Sequence, residues 1–181
     1  MSTLTFVGIS GSLRRASRNS GLLRCCAAHL PEGVHMEIAN ISALPFYNED
    51  IEKPQAAKDL IAQVTAADAL VLACPEYNYS LAPALKNALD WVSREPNLAP
   101  LSGKAVCIVG AGGGMGTSRS QYHLRQVCVY LNLHVLNKPE LFSNAFSPCF
   151  DDKGNVVDEA LTKQTAEVMQ ALAQWTRQLK K

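Results

Sequence analysis

The sequence lacks the features that mark membrane, secreted and nucleic-acid-binding proteins. No apolar run approaches the ~20 residues that a membrane-spanning helix needs. The N-terminus has no basic segment ahead of an apolar stretch and no small-residue cleavage site, so we expect no secretion signal. The formal net charge of +1 provides no basic surplus for binding nucleic acid. We therefore predict a cytoplasmic protein that binds neither a membrane nor nucleic acid.

Cysteine spacings typical of redox or metal sites are also absent. The six cysteines include no C-x-x-C pair, and no Cys and His residues share the spacing of zinc ligands. Most of the cysteines lie in apolar segments, where cysteine behaves as a small hydrophobic residue. The sequence predicts reduced thiols and no bound metal.

Familiar catalytic and nucleotide motifs are missing as well. No Ser-His-Asp arrangement is apparent, and Gly8-Ile9-Ser10-Gly11 is not a G-x-S-x-G nucleophile turn. The glycine-rich run 110–116 fails the P-loop pattern because Gly116, not lysine, precedes Thr117. It fails the dinucleotide fingerprint because Met115 takes the place of the third glycine. This lack of acid-base or nucleophilic groups suggests that a bound cofactor performs the chemistry.

Apolar, strand-like runs alternate with amphipathic helical segments along the chain. This alternation predicts right-handed βαβ units in a flavodoxin-like α/β three-layer sandwich, with helices on both faces of a parallel sheet. We expect a single domain over residues 1–181, with five strands in the order 2-1-3-4-5. The predicted strands are 3–9, 34–39, 69–74, 104–110 and 133–137, and the predicted helices are 18–30, 55–67, 83–93, 117–131 and 158–179.

The loop after the first strand has the composition of a phosphate site. Residues 10–20 contain four serines, three arginines and one asparagine, whereas a helix cap needs only one Ser or Asn. Backbone N–H groups at a helix N-terminus, hydroxyl donors and an arginine charge together suit a phosphate monoester. An ordinary capped helix is the alternative. The candidate phosphate ligands are Ser10, Ser12, Arg14, Ser17, Arg18 and Asn19.

The loop after the third strand offers flat aromatic surface beside hydrogen-bonding groups. Its residues Pro75, Glu76, Tyr77 and Asn78 suit the face and edge of a planar heterocycle. A rigid, proline-bounded turn with packed tyrosines is the alternative. For Glu76, we favour a capping or solvated carboxylate over a general acid, because no second acid pairs with it.

The loop after the fourth strand is rich in glycine. Five glycines in residues 110–116 let the backbone pass close to a ligand, with a flexible turn as the alternative. In a flavodoxin-like sheet the loops after strands one, three and four meet at the carboxyl edge. We therefore expect the three loops to form one site.

Several motifs together resemble the NADPH-dependent FMN reductase family, in particular its bacterial quinone and chromate reductase branch. The resemblance covers roughly residues 5–142. The motifs are Gly11-Ser12-Leu13-Arg14-x-x-Ser17-x-Asn19, residues 75–80, residues 85–91, residues 121–126 and Asn137-Lys138-Pro139-Glu140.

The resemblance implies non-covalently bound FMN. By motif position, Ser12 to Asn19, including Leu13, would hold the 5′-phosphate, and Pro75 to Asn78 would line the isoalloxazine. The backbone of Ala111, Gly112 and Gly113 would contact the other edge of the ring. The glycine loop often carries hydroxyl residues in this branch but lacks them here, so backbone N–H groups would have to serve.

The resemblance also implies an enzyme in which NADPH or NADH and a small-molecule acceptor use the flavin alternately. Quinones, chromate, azo compounds and free flavin are the acceptors it suggests. It further implies a homodimer or homotetramer, for which residues 119–125 are the candidate interface; a solvated helix face is the alternative. A flavodoxin-like electron carrier without its own NAD(P)H turnover is the rival function, although the +1 net charge disfavours it. A nucleotide-binding module that uses the first loop alone is a further rival.

Overall fold

The structure is a computed structural model that describes residues 3–180, so residues 1, 2 and 181 of the predicted domain lie outside the described residues. Strands and helices alternate as the sequence predicts. The strands are β1 (Leu4–Ser10), β2 (Val34–Ala39), β3 (Ala69–Ala73), β4 (Glu76–Tyr77), β5 (Ser80–Leu81), β6 (Ala105–Gly112), β7 (His134–Val135) and β8 (Leu141–Asn144). The helices are α1 (Arg18–Ala28), α2 (Gln55–Ala66), α3 (Pro83–Val92), α4 (Ser118–Tyr130) and α5 (Glu159–Leu179), with a short 3-10 turn at Pro96–Leu98.

The main sheet is parallel, with the strand order β2-β1-β3-β6-β7. This order confirms the predicted flavodoxin-like order 2-1-3-4-5. All five residues of β3 are buried, as expected for a central strand covered on both faces. In register, Gly8 of β1 lies opposite Val71 of β3, and Val71 lies opposite Cys107 of β6.

The edge of the sheet beyond β6 differs from the prediction. Two short segments, β7 and β8, both pair with β6 where one strand over residues 133–137 is predicted. Because β8 pairs with the end of β6 from Val109 to Gly112, β6 continues two residues past its predicted end. The first part of the glycine-rich loop is therefore strand.

Helices cover both faces of the sheet, as predicted. Alternate strand residues point to opposite faces, so Leu70 and Leu72 belong to one core and Val71 and Ala73 to the other. The first core is closed by α2, α3 and α4, and the second by α1 and α5. This packing fixes the carboxyl ends of β1, β3 and β6 beside one another.

Within residues 3–180, no helix combines the length and apolar character needed to cross a membrane. The same residues contain no cluster of three or more His, Cys, Asp or Glu side chains placed to hold a metal ion.

Candidate functional site

A cleft of about 230 Å³ lies at the carboxyl edge of the sheet, between the loops that follow β1, β3 and β6. Most of the predicted site residues line it, and all three loops contribute. Ser10, Leu13 and Asn78 do not line it. The lining residues are Ser12, Arg14, Ser17, Arg18, Asn19, Pro75, Glu76, Tyr77, Ala111, Gly112, Gly113, Ala145 and Phe146.

Three surface clefts among the described residues are larger. One, of about 300 Å³, lies between Tyr79 and the first turns of α4. The other two, of about 640 and 520 Å³, lie along α5 and the connection between α1 and β2. They share Pro31, Gln170 and Gln174, and none of the three loops lines either of them. The small cleft at the sheet edge is therefore the site where the chemically unusual segments meet.

The first loop turns directly into α1 and is shaped by its serines. The Ser10 hydroxyl accepts hydrogen bonds from the Ser12 backbone N–H at 3.2 Å and from the Ser20 hydroxyl at 3.0 Å. The Ser17 hydroxyl caps α1 by accepting from the Ser20 N–H at 3.2 Å. The buried Ser10 thus stabilises the loop through hydrogen bonds without lining the cleft itself. The helix N-terminus, whose first N–H groups lack partners within the helix, faces the cleft.

Two arginines bring positive charge to this end of the cleft. The Nε atom of Arg18 is buried and has no hydrogen-bond partner within residues 3–180. Neither Arg14 nor Arg18 forms an ion pair with a carboxylate among the same residues. A buried donor without a partner is costly, so an anionic ligand that accepts from Arg18 would relieve that cost.

Asn19 is buried in the first turn of α1, and its side-chain amide contacts the third loop. Its Nδ2 donates to the Ala111 carbonyl at 2.9 Å, and its Oδ1 accepts from the Ala111 N–H at 3.0 Å. One N–H of the side chain remains for a ligand in the cleft. The sequence predicts a phosphate donor at Asn19, whereas this link between loops is visible only in the structure.

The second loop forms a hairpin that the sequence analysis does not predict. Strands β4 and β5 pair antiparallel, and both turn residues have positive φ: 50° at Asn78 and 65° at Tyr79. These angles are typical of the two-residue hairpin turn in which Asn is favoured but a bulky Tyr is strained. The Arg119 guanidinium lies 4.0 Å from the Tyr79 ring centre, a cation–π contact that helps to hold the turn.

Glu76 has the capping role that the sequence analysis favours. Its Oε2 accepts hydrogen bonds from the backbone N–H groups of Arg119 at 3.1 Å and Ser120 at 3.2 Å, in the first turn of α4. The Arg119 guanidinium adds an ion pair at 3.5 Å. The negative charge of Glu76 is therefore matched by a helix N-terminus and an arginine, and it does not oppose an anion in the cleft.

The third loop contains two kinds of glycine. A Cβ atom at Gly110 would lie 2.0 Å from Thr117 Oγ1, and one at Gly112 would lie 2.2 Å from the Gly116 carbonyl oxygen, so packing requires both glycines. A Cβ atom at Gly113 or Gly114 would meet no atom within 4 Å. Gly113 lines the cleft. Packing against the described residues does not require a glycine at this position, but close approach of a ligand would.

Ala145 and Phe146 line the cleft and are absent from the sequence prediction. They follow β8, and the Ala145 N–H donates to the Gly112 carbonyl at 2.6 Å. The Phe146 side chain is 82% exposed. The only sequence signal is an aromatic residue in an otherwise polar stretch, because nothing local predicts that β8 joins the sheet.

The cleft contains no protein group poised for nucleophilic or acid-base chemistry among the residues described. No histidine lines it. Burial raises the pKa of the Cys74 thiol, just before the second loop, to about 11. The thiol is therefore protonated at neutral pH and is a poor nucleophile.

Comparisons with known proteins point to one family. The model of the NADPH-dependent FMN reductase family matches residues 4–147. An NAD(P)H-dependent FMN reductase of Pseudomonas aeruginosa is 46% identical over 178 residues, which are 96% of each chain. An NADPH:quinone oxidoreductase of Arabidopsis thaliana is 43% identical, over 94% of this chain and 91% of its own.

A solved structure of a flavoenzyme has a closely similar fold. The flavoenzyme NAD(P)H:(acceptor) oxidoreductase FerB of Paracoccus denitrificans superposes with a TM-score of 0.87 at 25% identity, over 97% of this chain and 98% of its own. The chain therefore belongs to the NADPH-dependent FMN reductase family.

Proposed function

We propose that this protein is an FMN-dependent NAD(P)H oxidoreductase that reduces quinones by two-electron transfer. The observation that carries the proposal is the meeting of three loops at one cleft, to which the first loop contributes an unpartnered arginine donor and the third an open glycine. The names of the Pseudomonas and Arabidopsis relatives support the reaction class.

The residues at the first loop fit the phosphate of FMN. Arg18 supplies a buried donor without a partner, Arg14 adds charge, and Ser12 and Ser17 add hydroxyls beside the α1 N-terminus. Charge-assisted hydrogen bonds from arginine and a helix N-terminus are a common combination for phosphate monoesters.

The residues at the other end of the cleft fit a planar ring. Pro75 and Tyr77 offer flat, apolar surface, and Phe146 flanks the opening. The loop at Gly112 and Gly113 carries no side chain that would block close approach by a ligand. Backbone N–H groups there would stabilise negative charge at the ring edge.

Bound FMN would supply the electron transfer, accepting a hydride equivalent from NADPH or NADH and passing it to the acceptor. The protein residues orient the cofactor and exclude water from its edge. Tyr77 and Phe146 are both exposed, so the cleft opens to small planar acceptors. Azo compounds and free flavin are planar acceptors of this kind, and we propose chromate, a tetrahedral oxyanion, as a further acceptor.

Steady-state kinetics tests this proposal. Protein loaded with FMN should oxidise NADPH in the presence of a benzoquinone, with one hydroquinone formed for each NADPH consumed. An electron carrier would show little turnover unless a separate reductase were added, and a nucleotide-binding module would show none. Either result would contradict the proposed activity.

We also propose a homodimer or homotetramer that uses α4. This helix exposes Tyr122, Val129 and Tyr130, which are 66%, 80% and 70% exposed. Exposed apolar and aromatic side chains on one helix are typical of an interface between subunits. Light scattering at micromolar concentration should give a multiple of the 19.6 kDa chain mass, and a monomer would contradict this part.

We also propose that residues 1–181 form a single domain and that the protein is cytoplasmic. The two cores lie on opposite faces of one sheet, which supports a single domain. All six cysteines are free thiols, which is usual in a reducing compartment.

A further inference from the structure

The carboxamide of Asn19 pairs with the peptide group of Ala111 in both directions. The two hydrogen bonds are 2.9 and 3.0 Å long, and Asn19 is only 6% exposed. Because the Ala111 N–H must meet an acceptor and its carbonyl a donor, only one orientation of the amide fits. This pairing joins residues that are 92 positions apart in the chain.

The position of Ala111 at the end of β6 explains why its peptide group pairs with a side chain and not with a neighbouring strand. Strand β3 ends at Ala73, and the last main-chain bond on that side of β6 runs from the Cys74 N–H to the Val109 carbonyl at 2.9 Å. Alternate residues of a strand direct their peptide groups to the same neighbour, so Ala111 faces the side where β3 has already ended. The Asn19 side-chain amide supplies the hydrogen-bond partners that a further residue of β3 would otherwise provide to Ala111.

We infer that Asn19 is a positioning residue for the ring end of the cofactor site. It holds the segment from Ala111 to Gly113 against the first turn of α1, the element that faces the phosphate end of the cleft. One buried amide thus links the segment that begins at Ala111 to the first turn of α1. This inference rests on the proposed function, because it assigns the two ends to the phosphate and to the ring of FMN.

A direct phosphate ligand would behave differently. If Asn19 acted only through its remaining N–H, its removal would weaken binding of FMN and leave binding of riboflavin unchanged, because riboflavin lacks the phosphate. If Asn19 positions the glycine loop, its removal weakens binding of both compounds by the same factor. The ratio of the two affinities therefore separates the roles.

The test is to titrate the apo-protein with FMN and with riboflavin, following quenching of flavin fluorescence, for the wild type and for Asn19→Ala. We expect both affinities to fall by about tenfold, because either flavin must then order a segment that Asn19 already holds in place in the wild type. The flavin absorption band of the variant should also shift, since the polar surroundings of the ring edge change. Unchanged affinity for riboflavin would overturn the inference.

Ser12→Ala is the matched control, because the Ser12 hydroxyl lines the cleft and makes no hydrogen bond to the described residues. It should weaken FMN binding and spare riboflavin. If Asn19→Ala does not fold, as judged by circular dichroism, Asn19→Asp keeps the acceptor for Ala111 and loses the donor. Its riboflavin affinity should also fall, and an unchanged value would contradict the inference. If the wild type binds neither flavin, the proposed function itself fails.

Discussion

The Glu76 carboxylate accepts a hydrogen bond from the backbone N–H of Ser120 at 3.2 Å, and this contact joins the second loop to the helix that follows the third loop. Asn19 and Ala111 join the first loop to the third. The first and second loops approach so closely that a Cβ atom at Gly11 would lie 2.8 Å from Pro75 Cδ. The second loop is therefore tied to α4, the first loop is tied to the third, and the first and second loops pack closely, which makes the cleft a preformed site.

Removing the Glu76 cap should destabilise the protein. We expect Glu76→Ala to lower the free energy of unfolding by about 1–2 kcal/mol, because two backbone N–H groups of α4 lose their acceptor and the helix N-terminus loses a negative charge. Glu76→Gln should lower the free energy of unfolding by about half as much, because the amide oxygen still accepts hydrogen bonds from the α4 backbone. Urea unfolding of the apo-protein measures this. Glu49→Ala, at an exposed position, is the control and should change stability little; an equal loss in both Ala variants would refute the capping role.

Two neighbouring glycines should respond differently to alanine. A Cβ atom at Gly113 or Gly114 meets no atom within 4 Å, so neither substitution should destabilise the apo-protein. Only Gly113 lines the cleft. We expect Gly113→Ala to weaken FMN binding by about tenfold or more, as a methyl group enters the space for the ring, and Gly114→Ala to leave it unchanged. Thermal unfolding and fluorescence titration measure the two effects; equal FMN affinity in both variants would show that Gly113 is not at the ring.

The arginine charges should matter for FMN and not for riboflavin. Arg18→Ala removes the buried, unpartnered donor, and we expect FMN affinity to fall by about 10- to 100-fold with little change for riboflavin. Arg14→Ala should have a smaller effect, since Arg14 is exposed and its charge is screened by solvent. Arg15→Ala is the control, because Arg15 is exposed and does not line the cleft. A loss of FMN affinity with Arg15→Ala as large as that with Arg18→Ala would contradict this assignment.

Alkaline pH should destabilise the fold through its buried thiols. Burial raises the pKa of Cys74 from its ordinary value of about 9 to about 11, so between these values the unfolded chain releases a proton that the folded chain retains. The contribution of the neutral Cys74 thiol to the free energy of unfolding is fully present below pH 9. It is lost as pH rises toward 11. One such thiol contributes a slope of about 1.4 kcal/mol per pH unit in the unfolding free energy.

Comparing Cys74→Ala with the wild type isolates this effect. The variant should show a shallower fall in stability between pH 9 and 11, measured by urea unfolding at a series of pH values. Identical slopes would mean that Cys74 titrates alike in the folded and unfolded chains.

The architecture could be predicted because local patterns decide it. A continuous apolar run marks β3, and Pro83 marks the start of α3, so these elements fall close to their predicted bounds. The strand order follows from the alternation of strands and helices. The three loops could be assigned to one site because parallel strands bring their carboxyl ends together.

The remaining features depend on contacts between distant parts of the chain. Strand β8 has only four residues, two of them polar, and exists because it pairs with the end of β6; Ala145 and Phe146 reach the cleft as a consequence. The hairpin at Asn78 and Tyr79 needs positive φ at a tyrosine, which local preference disfavours. The role of Asn19 as a substitute for a strand residue depends on where β3 ends relative to β6, and no local sequence signal encodes that.

A crystal structure of the protein soaked with FMN tests the central claim most directly. We expect electron density for one flavin in the small cleft, with its phosphate beside Arg18 and the α1 N-terminus, and with its ring touching both the Pro75–Tyr77 segment and the Gly112–Gly113 segment. An empty cleft at saturating FMN, or a flavin bound in the larger grooves along α5, would contradict it.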